Sequence, residues 1–363
     1  MRIESMSETL FFELLQVALG RRERLSSTPT EREWTELFEM SQKQAVAGVA
    51  FEGVERLQPQ IPRELLLQWF AISEQIKKRN ILMNQRAVEV TRIFADAGFR
   101  SCILKGQGNN LLYPNPYVRN SGDIDIWIDA KRKDITKFVK SKCPEAEDGE
   151  RHIHFPVFKD VEVEVHYVPC SSNVPKYNKQ LQLFFQTHAE EQFSYKVTLP
   201  DTEGNVSVPT SEFNMIHQLS HVMSHFFTEG VGLRHFVDYY YVLRKYKVGS
   251  GEFRDHIVAT LKDTGMLRFA QGVMWVEKEC LGLEEQFLIV EPEENIGQLI
   301  FQEMLAGGNF GRHDQRYTFR KQGYLARGAT DVFRLIKLAP LFPSVSFWTI
   351  VGKVKNQRWK VTR

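Results

Sequence analysis

A chain of 363 residues with 42% apolar side chains has enough material for two or three domains with real cores. Its formal net charge of +2 neither requires nor excludes a polyanionic partner. The four cysteines (Cys102, Cys143, Cys170, Cys280) show no paired spacing and no CxxC, which reads as buried, reduced thiols. Met1 to Ser5 carry an acid early and lead into no apolar run with a small-residue cleavage site, so no signal peptide is expected. Leu335 to Val351 is broken by Lys337, Pro340 and Pro343, short of the roughly 18 uncharged apolar residues of a membrane span. A soluble, cytoplasmic protein without a membrane partner is expected.

The first region, residues 1–98, reads as helical. Ser5 and Glu8 form a capping-box pattern before Leu10, Phe11, Leu14 and Leu15, and Gly20 stops that helix. Thr30 and Glu33 repeat the signal before Trp34, Leu37 and Phe38. Pro62 opens a long periodic segment through Trp69, Ile76, Leu82, Val90 and Phe94 that ends at Gly98.

From Phe99 the period changes to that of an α/β region, residues 99–210. Arg100 to Leu104 reads as a short strand, then Lys105-Gly106-Gln107-Gly108 leads into a helical stretch. A strand from about Asp123 to Ile128 follows, then a charged helix from Lys131 to Lys142. Two further strand patterns, Ile153 to Phe158 and Val161 to Val168, meet at Lys159-Asp160, which reads as a hairpin turn. Tyr195 to Val208 closes the region with β-like character. Helical periodicity returns from Ser211, punctuated by Gly230, Gly249-Ser250-Gly251 and Gly307-Gly308, and defines the third region, residues 211–363. The fold class expected is α+β, a central sheet domain between two helical regions.

Asp123 and Asp125 carry the most information. In Ser121-Gly122-Asp123-Ile124-Asp125-Ile126-Trp127-Ile128 they alternate with apolar residues at strand period, so both carboxylates leave one face while Ile124, Ile126 and Ile128 pack behind. Two like charges that close are costly unless a cation holds them. Hard oxygen pairs suit Mg²⁺, commonly held by one or two carboxylates and substrate phosphates. Val161-Glu162-Val163-Glu164-Val165-His166 puts Glu162, Glu164 and His166 on one face. Alone this is an ordinary amphipathic strand. Beside the Asp-x-Asp strand it offers a third carboxylate, and three carboxylates on adjacent strands make a two-ion site for phosphoryl or nucleotidyl transfer plausible.

Leu104-Lys105-Gly106, Tyr113-Pro114, Arg119, Gly122-Asp123-Ile124-Asp125-Ile126 and Val163-Glu164-Val165-His166 resemble the uncharacterised nucleotidyltransferases of the DNA-polymerase-β-like superfamily. His221-x-x-x-His225, Glu229-Gly230-Val231-Gly232-Leu233-Arg234 and Asp238 are similar to the same group's C-terminal helical motif. The resemblance implies a polymerase-β-like sheet domain, with Asp123, Asp125 and Glu164 as metal-binding catalytic carboxylates and Glu162 as the substitute for the third. It implies Mg²⁺ as cofactor, with two ions possible, a nucleoside triphosphate as substrate, and Gly106 as the glycine whose backbone approaches the phosphates. Gln107 departs from the superfamily's small residue after that glycine, and Lys105 could supply the missing phosphate contact as a point charge.

Arg119 could bind phosphate bidentately or pair with a carboxylate. Arg234 and Asp238 are either a helix-surface ion pair, or a cleft-facing arginine oriented by its aspartate. His217, His221 and His225 recur every four residues on one helix face. The expected role of His221 and His225 is to line the cleft or bond within the core, ahead of chelating zinc. A two-residue turn at Lys159-Asp160 would pair His154 with Val165 and turn it from Glu164. An odd-length loop or a bulge near Pro156 would bring His152, His154 and Glu164 to one face. The tail Lys353, Lys355, Arg358, Trp359, Lys360, Arg363 could touch nucleic acid, although terminal charge runs are usually solvated.

The reading is a Mg²⁺-dependent nucleotidyltransferase. Its acceptor (small molecule, sugar, protein or RNA) is not named by the sequence. A nucleotide-binding module without turnover, or a metal-dependent phosphodiesterase using His166, are the other readings.

Overall fold

The structure, a computed structural model, describes residues 5–245, 251–314 and 324–361. It begins with α1 (Met6–Ala18), α2 (Glu31–Lys43), α3 (Ala47–Leu57) and the long α4 (Arg63–Asp96). The Ser5 hydroxyl accepts from the Glu8 amide at 3.1 Å, and Thr30 with Glu33 forms the reciprocal capping box. Gly20 and Gly98 follow α1 and α4 in the left-handed region, at φ 70° and 82°, where glycine costs least.

The α/β region holds β1 (Ser101–Ile103), α5 (Gln107–Asn110), β2 (Ile124–Ile128), α6 (Arg132–Lys142), β3 (His152–His154) and β4 (Val163–His166). Then come α7 (Pro175–Thr187), α8 (Ala189–Ser194), β5 (Lys196–Thr198) and β6 (Asn205–Ser207). The sheet order is β1-β2-β4-β3, with β2 and β4 parallel and the outer pairs antiparallel, while β5 and β6 form a separate ribbon. The fold is thus mixed: mainly helical, with one small four-stranded sheet and a two-stranded one.

The strands are shorter than the sequence patterns suggest. Lys159-Asp160 is not a tight hairpin turn. Val157 donates to the Phe155 carbonyl at 2.7 Å, so the chain leaves the ladder at Pro156 and residues 155–162 form a longer connection. The register pairs His154 with Glu164 and His152 with His166, which brings the histidines to the carboxylate face.

Two apolar cores position the site. Ile124, Ile126 and Ile128 pack with Met83, Val90 and Phe94 of α4 and with Ile135 and Val139 of α6. Each such burial is worth about 1.5–3 kcal/mol, which is what holds strands this short. The opposite face of β2 carries Asp125 and Trp127, and the Trp127 ring stacks near Phe213.

The remaining helices are α9 (Ser211–Thr228), α10 (Leu233–Lys245), α11 (Gly251–Asp263), α12 (Leu267–Leu281), α13 (Glu294–Gly307), α14 (Tyr324–Leu338) and α15 (Pro343–Val361). They share one apolar core with α1 to α3 and the first half of α4. Helix α4 therefore spans both cores, with Trp69 in one and Phe94 in the other. Among the described residues no helix is long and apolar enough to cross a membrane. All four cysteines are buried and unbridged. In the basic tail, Lys353 pairs with Asp331 at 2.6 Å. The side chains of Arg358, Trp359 and Lys360, the residue Arg363, and the Gly249-Ser250 pair lie outside the described residues.

Candidate active site

The parallel register sets Asp125 of β2 directly beside Glu164 of β4, so their side chains leave the same face of adjacent strands. His166, two residues along β4, shares that face. Its Nε2 lies 2.8 Å from Asp125 Oδ1 and 3.6 Å from Glu164 Oε2. Asp123 stands just before β2, and these groups, together with Lys105 and Gly106, line a cleft of about 600 Å³. That is within the usual range for small-molecule sites, roughly 300–1,000 Å³. The far wall is built from α9, α10 and the segment around Phe310.

Lys105 reaches the carboxylates because Leu104 extends the β1 ladder, donating to the Asp125 carbonyl at 3.0 Å. Its Nζ lies 2.9 Å from Asp125 Oδ2 and 3.3 Å from His221 Nε2. Burial alone would push the Asp125 carboxyl up, but the Lys105 charge and the His166 hydrogen bond hold it well below the carboxylate range. Asp123 is shifted the other way, raised by the neighbouring Asp125 charge and by burial, with Lys105 opposing. The two aspartates therefore compete for the same positive charge. Burial lowers His166, yet the hydrogen bond to Asp125 and the nearby Glu164 carboxylate outweigh it and leave the imidazole raised.

Gly106 adopts φ 49° and ψ −107°, a conformation available essentially to glycine. It opens only the four-residue α5. Gln107 is buried, and neither end of its amide has a partner among the described residues.

Several expected residues are placed differently. Glu162 is exposed and outside the cleft lining, because β4 begins only at Val163; its carbonyl instead receives the Ile124 amide at 2.9 Å. Of the two glutamates, Glu164 lines the cleft. Arg119 lines the cleft, but its fork is committed: Nε and Nη2 donate to the two Asp238 oxygens at 2.7 and 2.8 Å. The pair is buried, and the Tyr113 hydroxyl adds a third bond to Asp238 at 2.6 Å. Asp238 thus serves Arg119 and makes no ion pair with Arg234. The carboxylate-pairing alternative for Arg119 thus has its partner in Asp238. Arg234 faces the cleft, donating to the Asn120 carbonyl at 2.8 Å while its Nε has no partner among the described residues. Burial and the Arg119 charge lower its pKa.

His221 and His225 line the cleft, whereas His217 is fully buried and pushed down to about 3 by burial and the Lys105 charge. Sequence reasoning missed Arg151, which enters the cleft held by Ser224 at 3.0 Å, and His235, Phe310 and Arg312 on the opposite wall. It also missed Asn80, fully buried on α4, whose amide donates to the Tyr117 and Arg119 carbonyls at 2.8 Å. Its oxygen accepts from Asn110 and Ser121 at 2.8 and 2.6 Å. This knot fixes the loop that delivers Asp123. Only the Arg234-His235 adjacency was readable beforehand; the Asn80 knot has no local signature.

The donor set is of a kind that binds a divalent ion. Carboxylate oxygens from adjacent strands converge on one cleft wall, and Asp125, Glu164 and His166 each present a ligand atom within 4.8 Å of the others. The elevated Asp123 carboxyl marks a charge repulsion that a cation relieves.

A family model described as "Uncharacterised nucleotidyltransferase" matches residues 30–282. The chain belongs to that uncharacterised nucleotidyltransferase family. The crystal structure of an antigenic nucleotidyltransferase-like protein from Paracoccidioides brasiliensis is similar to this chain at 13% identity and a TM-score of 0.32. The match covers 62% of this chain and 98% of that one, too distant to bear on the fold. No curated protein matches the chain.

Proposed function

We propose that this protein is a Mg²⁺-dependent nucleotidyltransferase of the polymerase-β-like kind, transferring a nucleoside monophosphate from a nucleoside triphosphate to an acceptor hydroxyl or similar nucleophile. The observation that carries the reading is the β2–β4 register, which sets Asp125 beside Glu164 with Asp123 entering the same cleft. In the transfer the acceptor hydroxyl loses its proton to solvent, its oxygen bonds the α-phosphorus, the bond from that phosphorus to the oxygen bridging to the β-phosphorus breaks, and pyrophosphate leaves.

Asp123, Asp125 and Glu164 would hold Mg²⁺, which when bound neutralises phosphate charge and acidifies the attacking hydroxyl. The chain's own cations do the rest. Arg234 and Arg151 line the cleft, held by the Asn120 carbonyl and the Ser224 hydroxyl rather than by a carboxylate. They orient triphosphate oxygens and oppose the charge that develops during displacement. Lys105 holds Asp125 ionised and sits where a phosphate can draw its ammonium away. His166 fixes the Asp125 carboxylate in place.

The Lys105–Asp125 ion pair also favours a second reading, a nucleotide-binding module without turnover, since the cation already satisfies the carboxylate. Calorimetry with Mg²⁺ and a non-hydrolysable triphosphate, run beside a pyrophosphate-release assay, separates the two. Binding that requires Asp125 together with release supports the transferase. Binding with no release across a broad acceptor panel supports the module.

A further inference from the structure

The wall opposite the carboxylates carries three histidines that nucleotidyl transfer does not require. His221 and His225 lie one turn apart on α9, and His235 comes from the first turn of α10. Their ring centroids are 4.3, 5.6 and 5.9 Å apart, and one nitrogen of each lies within 4.8 Å of the other two. We propose that His221, His225 and His235 form a site for a transition-metal dication of the zinc class, distinct from the carboxylate site across the cleft.

A hydrogen bond orients one of these rings as a ligand, and a carboxylate lies beside a second. His235 Nδ1 sits 3.2 Å from the Gly232 carbonyl. A carbonyl only accepts, so Nδ1 carries the proton and Nε2 presents a lone pair. That Nε2 is buried, with no partner among the described residues, on a side chain that lines the cleft. A buried, unpaired ring nitrogen costs free energy, which a metal ion would recover. Glu229 Oε2 lies 3.3 Å from His225 Nδ1, a carboxylate beside the ring although Nδ1 makes no hydrogen bond among the described residues. Backbone carbonyl on one histidine and carboxylate on the next are the outer partners that metal-binding histidines use to fix tautomer and orientation.

Nitrogen donors select the ion. Imidazole favours zinc, cobalt, nickel and copper, whereas Mg²⁺ prefers oxygen. Zinc–nitrogen bonds of about 2.0–2.1 Å place three nitrogens roughly 3.4 Å apart in a tetrahedral set, closer than the 4.8 Å within which these three now lie. Lys105 Nζ is 3.3 Å from His221 Nε2, so an ion on that nitrogen displaces the ammonium from His221. Three protein ligands leave a fourth position open to the cleft. An anion taken there offsets the nearby charges of Lys105 and Arg234.

The test is a titration of the full chain with Co²⁺ under excess Mg²⁺, read by visible d–d absorption. Calorimetry with Zn²⁺ runs in parallel, and circular dichroism checks each variant's fold. The expected result is a single high-affinity ion with tetrahedral bands. It is weakened at least tenfold in His235→Gln and in His225→Gln, about tenfold in Glu229→Gln, and unchanged in Asp125→Asn and His152→Gln. Affinity unchanged in folded His235→Gln overturns the proposal, as does an absence of Co²⁺ bands in the wild type. Loss of the bands in Asp125→Asn also overturns it, because the ion then belongs to the carboxylates.

Discussion

Replacing Asp238 by Asn tests the assignment of Arg119 as a buried structural arginine. The wild-type pair has side chains only 7% and 4% exposed and two bonds of 2.7 and 2.8 Å. Asparagine keeps the size and one acceptor oxygen but leaves the Arg119 guanidinium buried without a counter-charge. Breaking such a pair costs about 3–5 kcal/mol, a large share of a typical stability of about 5–15 kcal/mol. Removing the whole network behaves differently. The triple change Tyr113→Phe, Arg119→Met, Asp238→Leu leaves no orphaned polar group and returns stability to within about 2 kcal/mol of the wild type. Urea unfolding measures both: the single variant's midpoint falls with unchanged slope, and the triple variant's recovers. An Asp238→Asn midpoint equal to the wild type refutes the reasoning, because Arg119 would then not depend on Asp238.

Glu277 is fully buried in α12 with neither carboxylate oxygen partnered among the described residues, and burial raises its pKa well above the ordinary 4.5. A raised folded pKa gives stability that is intact below about 4.5 and lost as the pH climbs toward the folded value, by up to about 1.4 kcal/mol per pH unit. Glu277→Gln should therefore flatten the stability–pH profile above pH 4.5, and a slope matching the wild type in urea unfolding would contradict this. Gly106→Ala forces an alanine into φ 49°, ψ −107° and should cost about 1–3 kcal/mol, read as a lowered thermal midpoint; an unchanged midpoint would count against backbone strain there. Lys105→Met removes the cation that competes for Asp125 and should tighten Mg²⁺ binding several-fold while weakening triphosphate binding, both by calorimetry. Weaker Mg²⁺ binding would mean that Lys105 supports the ion site.

Much of the site was legible because it rests on local patterns. The Asp123–Asp125 alternation, the Glu164–His166 alternation and the Thr30–Glu33 box are short-range signals that the backbone obeys. What the sequence could not supply were partners chosen by tertiary packing. Arg119 finds Asp238 across the chain, and Asn80 gathers carbonyls from a loop far from it in sequence. The register of β3 was open for the same reason: it depends on how the chain leaves the ladder at Pro156, a choice of one residue that moves His152 and His154 between faces. Helices α7 and α8 have no side-chain cap hydrogen bond and were not anticipated within the α/β region.

The most direct measurement is pyrophosphate release from each nucleoside triphosphate with Mg²⁺ and a panel of hydroxyl acceptors, comparing wild type with Asp123→Asn and Asp125→Asn at matched stability. The account predicts release by the wild type, reduced at least about a hundredfold in both variants. Release at the wild-type rate by either folded variant would contradict it.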